Sequence, residues 1–206
     1  MAAVVDYSQH GEQEAILAWA AGRAGGFLDL GAYDGASYSN TAALADLGWA
    51  GVCVDAAPDA AAACAVRYAA RDDVDVVLAA FDLEGGSAPA VMHWSPDAMY
   101  TSLIPARRAD QQLAPIHVPR LDLAWLATRC DRLPRPIFCS IDLEGGSLDA
   151  LTWVLHNVDV TCVCVEANNP QERAFVDEIL AGNHGWWPLD RNAWNAIYAG
   201  DSRAPS

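Results

Sequence analysis

Phe27-Leu28-Asp29-Leu30-Gly31-Ala32-Tyr33-Asp34-Gly35 is the stretch on which the reading of this chain turns. Phe27 to Leu30 has the length and composition of a buried strand, and two glycines spaced G-x-x-x-G follow it at once. A glycine-rich turn between a strand and a helix lets a ligand come close to the backbone and aims helix amides at it. The stretch therefore predicts the first step of a parallel sheet, with a nucleotide-type pocket at its carboxyl end.

Working outward, apolar runs alternate with helix-period segments. Upstream a helix is expected near Glu12 to Arg23, with Ile16, Trp19 and Ala20 on one face. Downstream come a helix near Asn40 to Leu47, a strand Gly51 to Asp55, a helix Asp59 to Ala70 and a strand Val74 to Ala80. After a break the pattern resumes with a helix Leu121 to Arg129, a strand Ile137 to Ile141, a helix Ser147 to Leu155, a strand Val160 to Val165 and a helix Gln171 to Leu180. Trp186 to Leu189 and Asn195 to Ala199 read as a closing hairpin. Such alternation is the signature of an α/β fold with crossover helices. The break itself, 81–119, holds five prolines that argue loop or short strands, and is expected to be an irregular insert or substrate loop.

Composition narrows the function. With 206 residues the chain suits one domain, 1–206, and 53% hydrophobic residues suit a packed core. The formal charge of −15 repels a phosphate backbone, so no nucleic-acid partner is expected. Every basic residue is arginine, which removes the phosphate-loop lysine and any lysine Schiff base. No apolar run reaches the roughly 20 residues of a membrane span. Met1 to His10 lacks the basic start of a secretory signal, so a cytoplasmic setting is expected. The six cysteines form no C-x-x-C pair, and four of them sit in strand-like runs as small hydrophobes.

The remaining signals are carboxylates at strand ends. The dinucleotide fingerprint G-x-G-x-x-G would need glycine where Tyr33 stands, which argues against a nicotinamide cofactor. S-adenosylmethionine, which has cationic groups and no pyrophosphate, suits Asp29 and an acidic site. Asp55 lies 24 residues beyond Gly31, close to the offset of about 20 at which an acid accepts from ribose hydroxyls. Asp142 and Glu144 follow the fourth strand, where ligands of open α/β sheets collect. Two carboxylates there suit a base, a hydroxyl acceptor, or a site for Mg²⁺ or another divalent cation. Glu166-Ala167-Asn168-Asn169 closes the fifth strand in the same way, and for Glu144 and Asn168 a capping role is an equal alternative. Asp82-Leu83-Glu84-Gly85-Gly86-Ser87 repeats the hexapeptide at 142–147, and we assign the first copy to a loop beside the adenine. Trp94, Tyr100, Trp186, Trp187 and Trp194 are of the type that stacks on a sugar face, although core or interface is the commoner use of such aromatics.

Four motifs in order carry a resemblance. Phe27 to Gly35 running into Ser39-Asn40-Thr41, then Gly48 to Pro58, then Ser140 to Gly145, then Val165 to Asn168, resemble the FkbM family of S-adenosylmethionine-dependent methyltransferases. The resemblance spans about Phe27 to Tyr198 and implies a class I methyltransferase (Rossmann-like) fold. That fold is a seven-stranded, mostly parallel sheet with one antiparallel strand and helices on both faces. It further implies O-methylation of a small-molecule or glycan acceptor, a hydroxyl on a sugar or natural product. By the resemblance Asp29, Gly31 and Gly35 line the cofactor and Asp55 holds its ribose, with Ala32, Asp34, Ser39, Ala56, Phe81 and Asp82 around them. Asp142 is the first candidate for base or metal ligand, with Glu144 and His93 behind it. Asp55 stands where glutamate is usual, Tyr33 where asparagine is common, and Ala56-Ala57-Pro58 replaces a proline-flanked turn. The competing reading is a catalytically silent cofactor-binding module serving as a partner in a biosynthetic assembly.

Overall fold

The computed structural model describes residues 5–94, 114–182 and 185–201. Seven strands form one sheet: β1 (Gly26–Leu30), β2 (Ala50–Asp55), β3 (Val74–Leu78), β6 (Ile137–Ile141), β7 (Cys162–Glu166), β8 (Trp186–Arg191) and β9 (Asn195–Gly200). They lie in the order β3-β2-β1-β6-β7-β9-β8, all parallel except β9, which runs against both of its neighbours. The expected sheet with its single antiparallel strand is present. Between β1 and β6 the order reverses, and that switch point opens a crevice at the carboxyl ends of the strands.

Alternation along the central strand explains the two layers. On β1, Leu28 and Leu30 face one core, while Phe27 on the other side joins a second. Helices α4 (Leu123–Asp131), α5 (Ser147–Asn157) and α6 (Pro170–Gly182) cover the first core through Leu126, Leu151 and Val176. Helices α1 (Glu12–Ala20), α2 (Ala42–Asp46) and α3 (Pro58–Arg67) cover the second through Ile16, Leu44 and Cys64. All six cysteines are buried and free. Among the described residues no helix is long and apolar enough to cross a membrane.

One strand limit needs correction. The third strand stops at Leu78 rather than Ala80, because the chain there leaves β2 and pairs with 119–121: Ala80 N–H donates to the Pro119 carbonyl at 2.9 Å and Leu121 N–H to the Ala80 carbonyl at 2.9 Å. Within 81–119 two short strands are present, one of the forms its prolines allow. Ala90–Trp94 (β4) and Ala114–Val118 (β5) form an antiparallel ribbon over Ala80, Ala90, Met92 and Val118. Pro115 is tolerated because each strand of a two-stranded ribbon has a free edge. Tyr100, and with it any loop formed by 95–113, lies outside the described residues.

Candidate functional site

The turn after β1 is shaped by its own packing. Gly31 and Gly35 take φ of 89° and 73°, and Tyr33, a residue with a Cβ, is held at φ 49°. A Cβ on Gly31 would stand 1.8 Å from the Asp142 carbonyl oxygen, and one on Gly35 would press on Tyr68 and Cys64. Both glycines are therefore demanded by neighbouring protein atoms, where the sequence suggested ligand approach alone. Most amides of the turn also have protein acceptors. Those of Gly31 and Ala32 donate to the Val54 carbonyl, that of Tyr33 to Asp55 Oδ2 at 2.7 Å, that of Gly35 to Ala32, and those of Ala36 and Ser37 to Asp34 Oδ1. A pyrophosphate would find few donors here, which agrees with the missing dinucleotide glycine.

Asp55 stands at the end of β2 and bridges the turn and the start of α3. Oδ2 accepts from Tyr33 and Oδ1 from Ala57 N–H at 2.8 Å. A carboxylate has about four acceptor positions, so with the Ala56 amide also drawn to it, capacity remains for about one hydroxyl donor. Burial raises its pKa against the pull of those amides. Asp29 lies deeper, 3% exposed, and accepts from Thr41 Oγ1 at 2.5 Å. Burial lifts its carboxyl to about 7, the Asp55 charge adds to that, and hydrogen bonds from Thr41 and Ser140 oppose it. Ser39 Oγ accepts from the Thr41 and Ala42 amides and opens α2. Asn40 donates to Ser140 Oγ at 3.3 Å, and its own Oδ1 is buried without a partner among the described residues.

At the ends of β6 and β7, Asp142, Glu144 and Glu166 each bring a carboxylate oxygen to within 4.8 Å of the other two. Solvent reaches Asp142, yet the protein massed around the base of the crevice raises its pKa, followed by the charge of Glu166, a hydrogen bond shared with it, and the charges of Glu144 and Asp29. Glu166 Oε1 accepts from Asn168 Nδ2 at 2.7 Å. Beside this triad a cleft of about 180 Å³ opens between α5 and β7, lined by Ser147, Leu148, Asp149, Asn168, Glu172 and Glu166 itself, without a basic side chain. Such a donor-poor, acceptor-rich surface suits cations and hydroxyl groups.

The other sequence candidates are placed unevenly. Ala32 and Phe81 point into the cores, Phe81 edge-on to Trp153 with 5.8 Å between ring centroids. Ala56 packs on the ribbon cluster. Asp82 is paired with Arg120. His93 sits on β4 opposite Pro115, with no hydrogen bond or ion pair to the carboxylates among the described residues. Trp187 and Trp194 are exposed on β8 and its turn. The sequence marks Glu166 at the end of the fifth strand, and the structure adds it to the pair Asp142 and Glu144; Arg120 gives no sequence signal at all.

No protein-family model matches the chain, and no curated protein matches it in sequence. Solved structures do match. An O-methyltransferase from Bacillus cereus in complex with SAH superposes with a TM-score of 0.53 at 14% identity, covering 96% of this chain and 84% of that one. A ribosomal protein L11 methylase from Lactobacillus delbrueckii subsp. bulgaricus gives 0.50 at 12% identity, with 93% and 78% coverage. A precorrin 8w decarboxylase from Methanobacterium thermoautotrophicum gives 0.51 at 12% identity, with 96% and 94% coverage. The fold is thus the Rossmann-like one of class I methyltransferases, shared by proteins of differing activity.

Proposed function

We propose that this protein is an S-adenosylmethionine-dependent methyltransferase of FkbM type, acting on a hydroxyl of a sugar, glycan or natural product. The observation that carries the reading is the row of carboxylates Asp55, Asp142, Glu144 and Glu166 along one crevice, beside a strand-to-helix turn most of whose amides already have protein acceptors. A cofactor with hydroxyl and cationic groups fits that surface, and a phosphate-bearing one does not. When bound, S-adenosylmethionine supplies an electrophilic methyl group.

Within this reading Asp55 offers its remaining acceptor capacity to a ribose hydroxyl. The Gly31 to Gly35 turn shapes the wall against which the cofactor rests, and Asp29 fixes that wall from below through Thr41. The buried Asn40 Oδ1 is an acceptor in need of a donor such as an ammonium group. The acceptor molecule enters by the cleft between α5 and β7, and Asp142 takes the proton of its hydroxyl, a role its raised pKa suits. Glu144 and His93 are the secondary candidates for that role. Asp142 and Glu144, joined by Glu166, are also the set that would hold a divalent cation; carboxylates favour hard ions such as Mg²⁺ or Mn²⁺, which would lower the acceptor hydroxyl's pKa. The net charge of −15 supports an acceptor that is not a nucleic acid, and six buried free thiols fit a reducing, cytoplasmic setting.

Calorimetry with S-adenosylmethionine and S-adenosylhomocysteine, together with mass spectrometry of the protein as purified, tests the cofactor. Transfer of labelled methyl to a panel of sugars and hydroxylated metabolites tests the reaction. Absence of binding removes the proposal, and binding without turnover on any acceptor favours the silent module.

A further inference from the structure

Arg120, in the link between β5 and α4, reaches across to the loop that follows β3. Its guanidinium pairs with Asp82, its Nε donates to the Ala88 carbonyl at 3.0 Å, and Nη2 stands 3.9 Å from Glu84. One side chain thereby touches both arms of the loop 82–88. The pair with Asp82 is sheltered, the two side chains being 18% and 11% exposed, while Glu84 is 87% exposed and adds little. Backbone pairing of Ala80 with 119–121 brings Arg120 to this place, and Asp82 Oδ1 accepts the Glu84 N–H, which closes the turn and leaves Oδ2 for the arginine.

The loop has a particular position. It leaves β3, the strand outward of β2, so it borders the crevice on the side away from the Asp142 triad and next to Asp55. It also leads into β4, which carries His93 and Trp94. We infer that Arg120 is a positioning residue: through Asp82 and the Ala88 carbonyl it holds the 82–94 segment against the adenosine side of the crevice, and Asp82 serves the site through this pairing. The inference rests on the methyltransferase reading only for what lies in the crevice; the staple itself is independent of it. Losing the arginine would leave the Asp82 charge sheltered and unpaired, which is costly enough to drive the loop outward into water.

The test uses the full chain and S-adenosylhomocysteine as the probe. Arg120→Gln should weaken binding by about tenfold or more, the worth of one charge-assisted hydrogen bond. Asp82→Asn should do the same, and the double variant should be no weaker than either single one, since all three break one unit. Arg120→Lys, which keeps the charge and loses the second contact, should recover binding to within about threefold of the parent. Hydrogen exchange should quicken across 82–94 in Arg120→Gln and stay unchanged in β6 and β7. Parental binding by Arg120→Gln, or a loss confined to Asp82→Asn, overturns the inference, the latter by making Asp82 a direct ligand. Should the parent itself bind no S-adenosylhomocysteine, the cofactor reading falls and exchange decides alone: quickening at 82–94 upholds the staple, and parental exchange overturns it.

Discussion

The hexapeptide Asp-Leu-Glu-Gly-Gly-Ser occurs twice, at 82–87 and 142–147, each time beyond the carboxyl end of a parallel strand. At 82 the aspartate meets an arginine and is neutralised. At 142 it meets Glu166 and Glu144, and its pKa climbs. The serines differ as well: Ser147 Oγ accepts from Leu143 N–H at 3.0 Å and starts α5, whereas Ser87 is exposed and no helix follows it. The glycines part company too, Gly86 at φ 103° and its counterpart Gly146 at φ −107°. Identical side chains thus join an arginine pair in one place and a carboxylate cluster in the other, and only what the fold brings opposite them decides which.

The largest expected effect separates the copies at their first residue. Asp142→Asn should lower methyl transfer by roughly 10²–10⁴-fold, the usual worth of positioned acid–base catalysis, with cofactor affinity nearly unchanged. Asp82→Asn should do the reverse, weakening cofactor binding and sparing the maximal rate. Equal losses of rate in both would erase the distinction. Next comes Asp55, the carboxylate proposed for the ribose, which lies between the copies: Asp55→Ala should weaken S-adenosylmethionine binding by about 1.5–3 kcal/mol, as for hydrogen bonds to a charged group, and calorimetry reads this directly. Parental affinity would end its assignment.

A cation titration sharpens the contrast. Mg²⁺ or Mn²⁺ should bind the parent, more weakly to Glu166→Gln, and unchanged to Glu84→Gln, because only the 142 copy has a third carboxylate within reach. Binding that survives Glu166→Gln undiminished would remove β7 from the ligand set.

The pH dependence of stability tests the buried anchor of the turn. Asp29 has a folded pKa of about 7 against an ordinary 3.8, so the folded protein holds the extra proton between those values. Its contribution is full below about 4 and is lost as pH rises through about 7. Asp29→Asn should flatten the decline in melting temperature over that window, and an unchanged decline would place the titration elsewhere. The smallest effect belongs to Glu84: Glu84→Gln should leave stability within about 0.5 kcal/mol of the parent, as expected for an exposed charge 3.9 Å from its partner.

Much of this was legible in the sequence, for reasons that particular residues make plain. Ile137 to Ile141 is bounded by Pro136 and a glycine pair and fully buried, so its limits are those of the strand observed. Asp55 and Asp142 follow from topology, since strand ends gather at one edge of a parallel sheet. Glu166, at the end of the fifth strand, obeys the same rule. Short strands were among the forms 81–119 allowed, but the pairing of β4 with β5 was hidden because 95–113 separates them and Pro115 argues against a strand at that point. Arg120 was hidden more deeply: its partner Asp82 is 38 residues away, and local pattern reports burial rather than pairing.

The contact between Gly31 and the Asp142 carbonyl has a consequence for how substitutions in this chain would be interpreted. In a survey of random variants, every replacement at Gly31 would score as a cofactor-binding failure, because the residue sits in the most recognisable motif. The injury would in fact land on the neighbouring strand, pushing away the backbone that carries Asp142. A suppressor would then be expected near the turn after β6, a region that touches the motif in space and shares no signature with it. The two motifs act as one mechanical part, and inheritance would have to change them together.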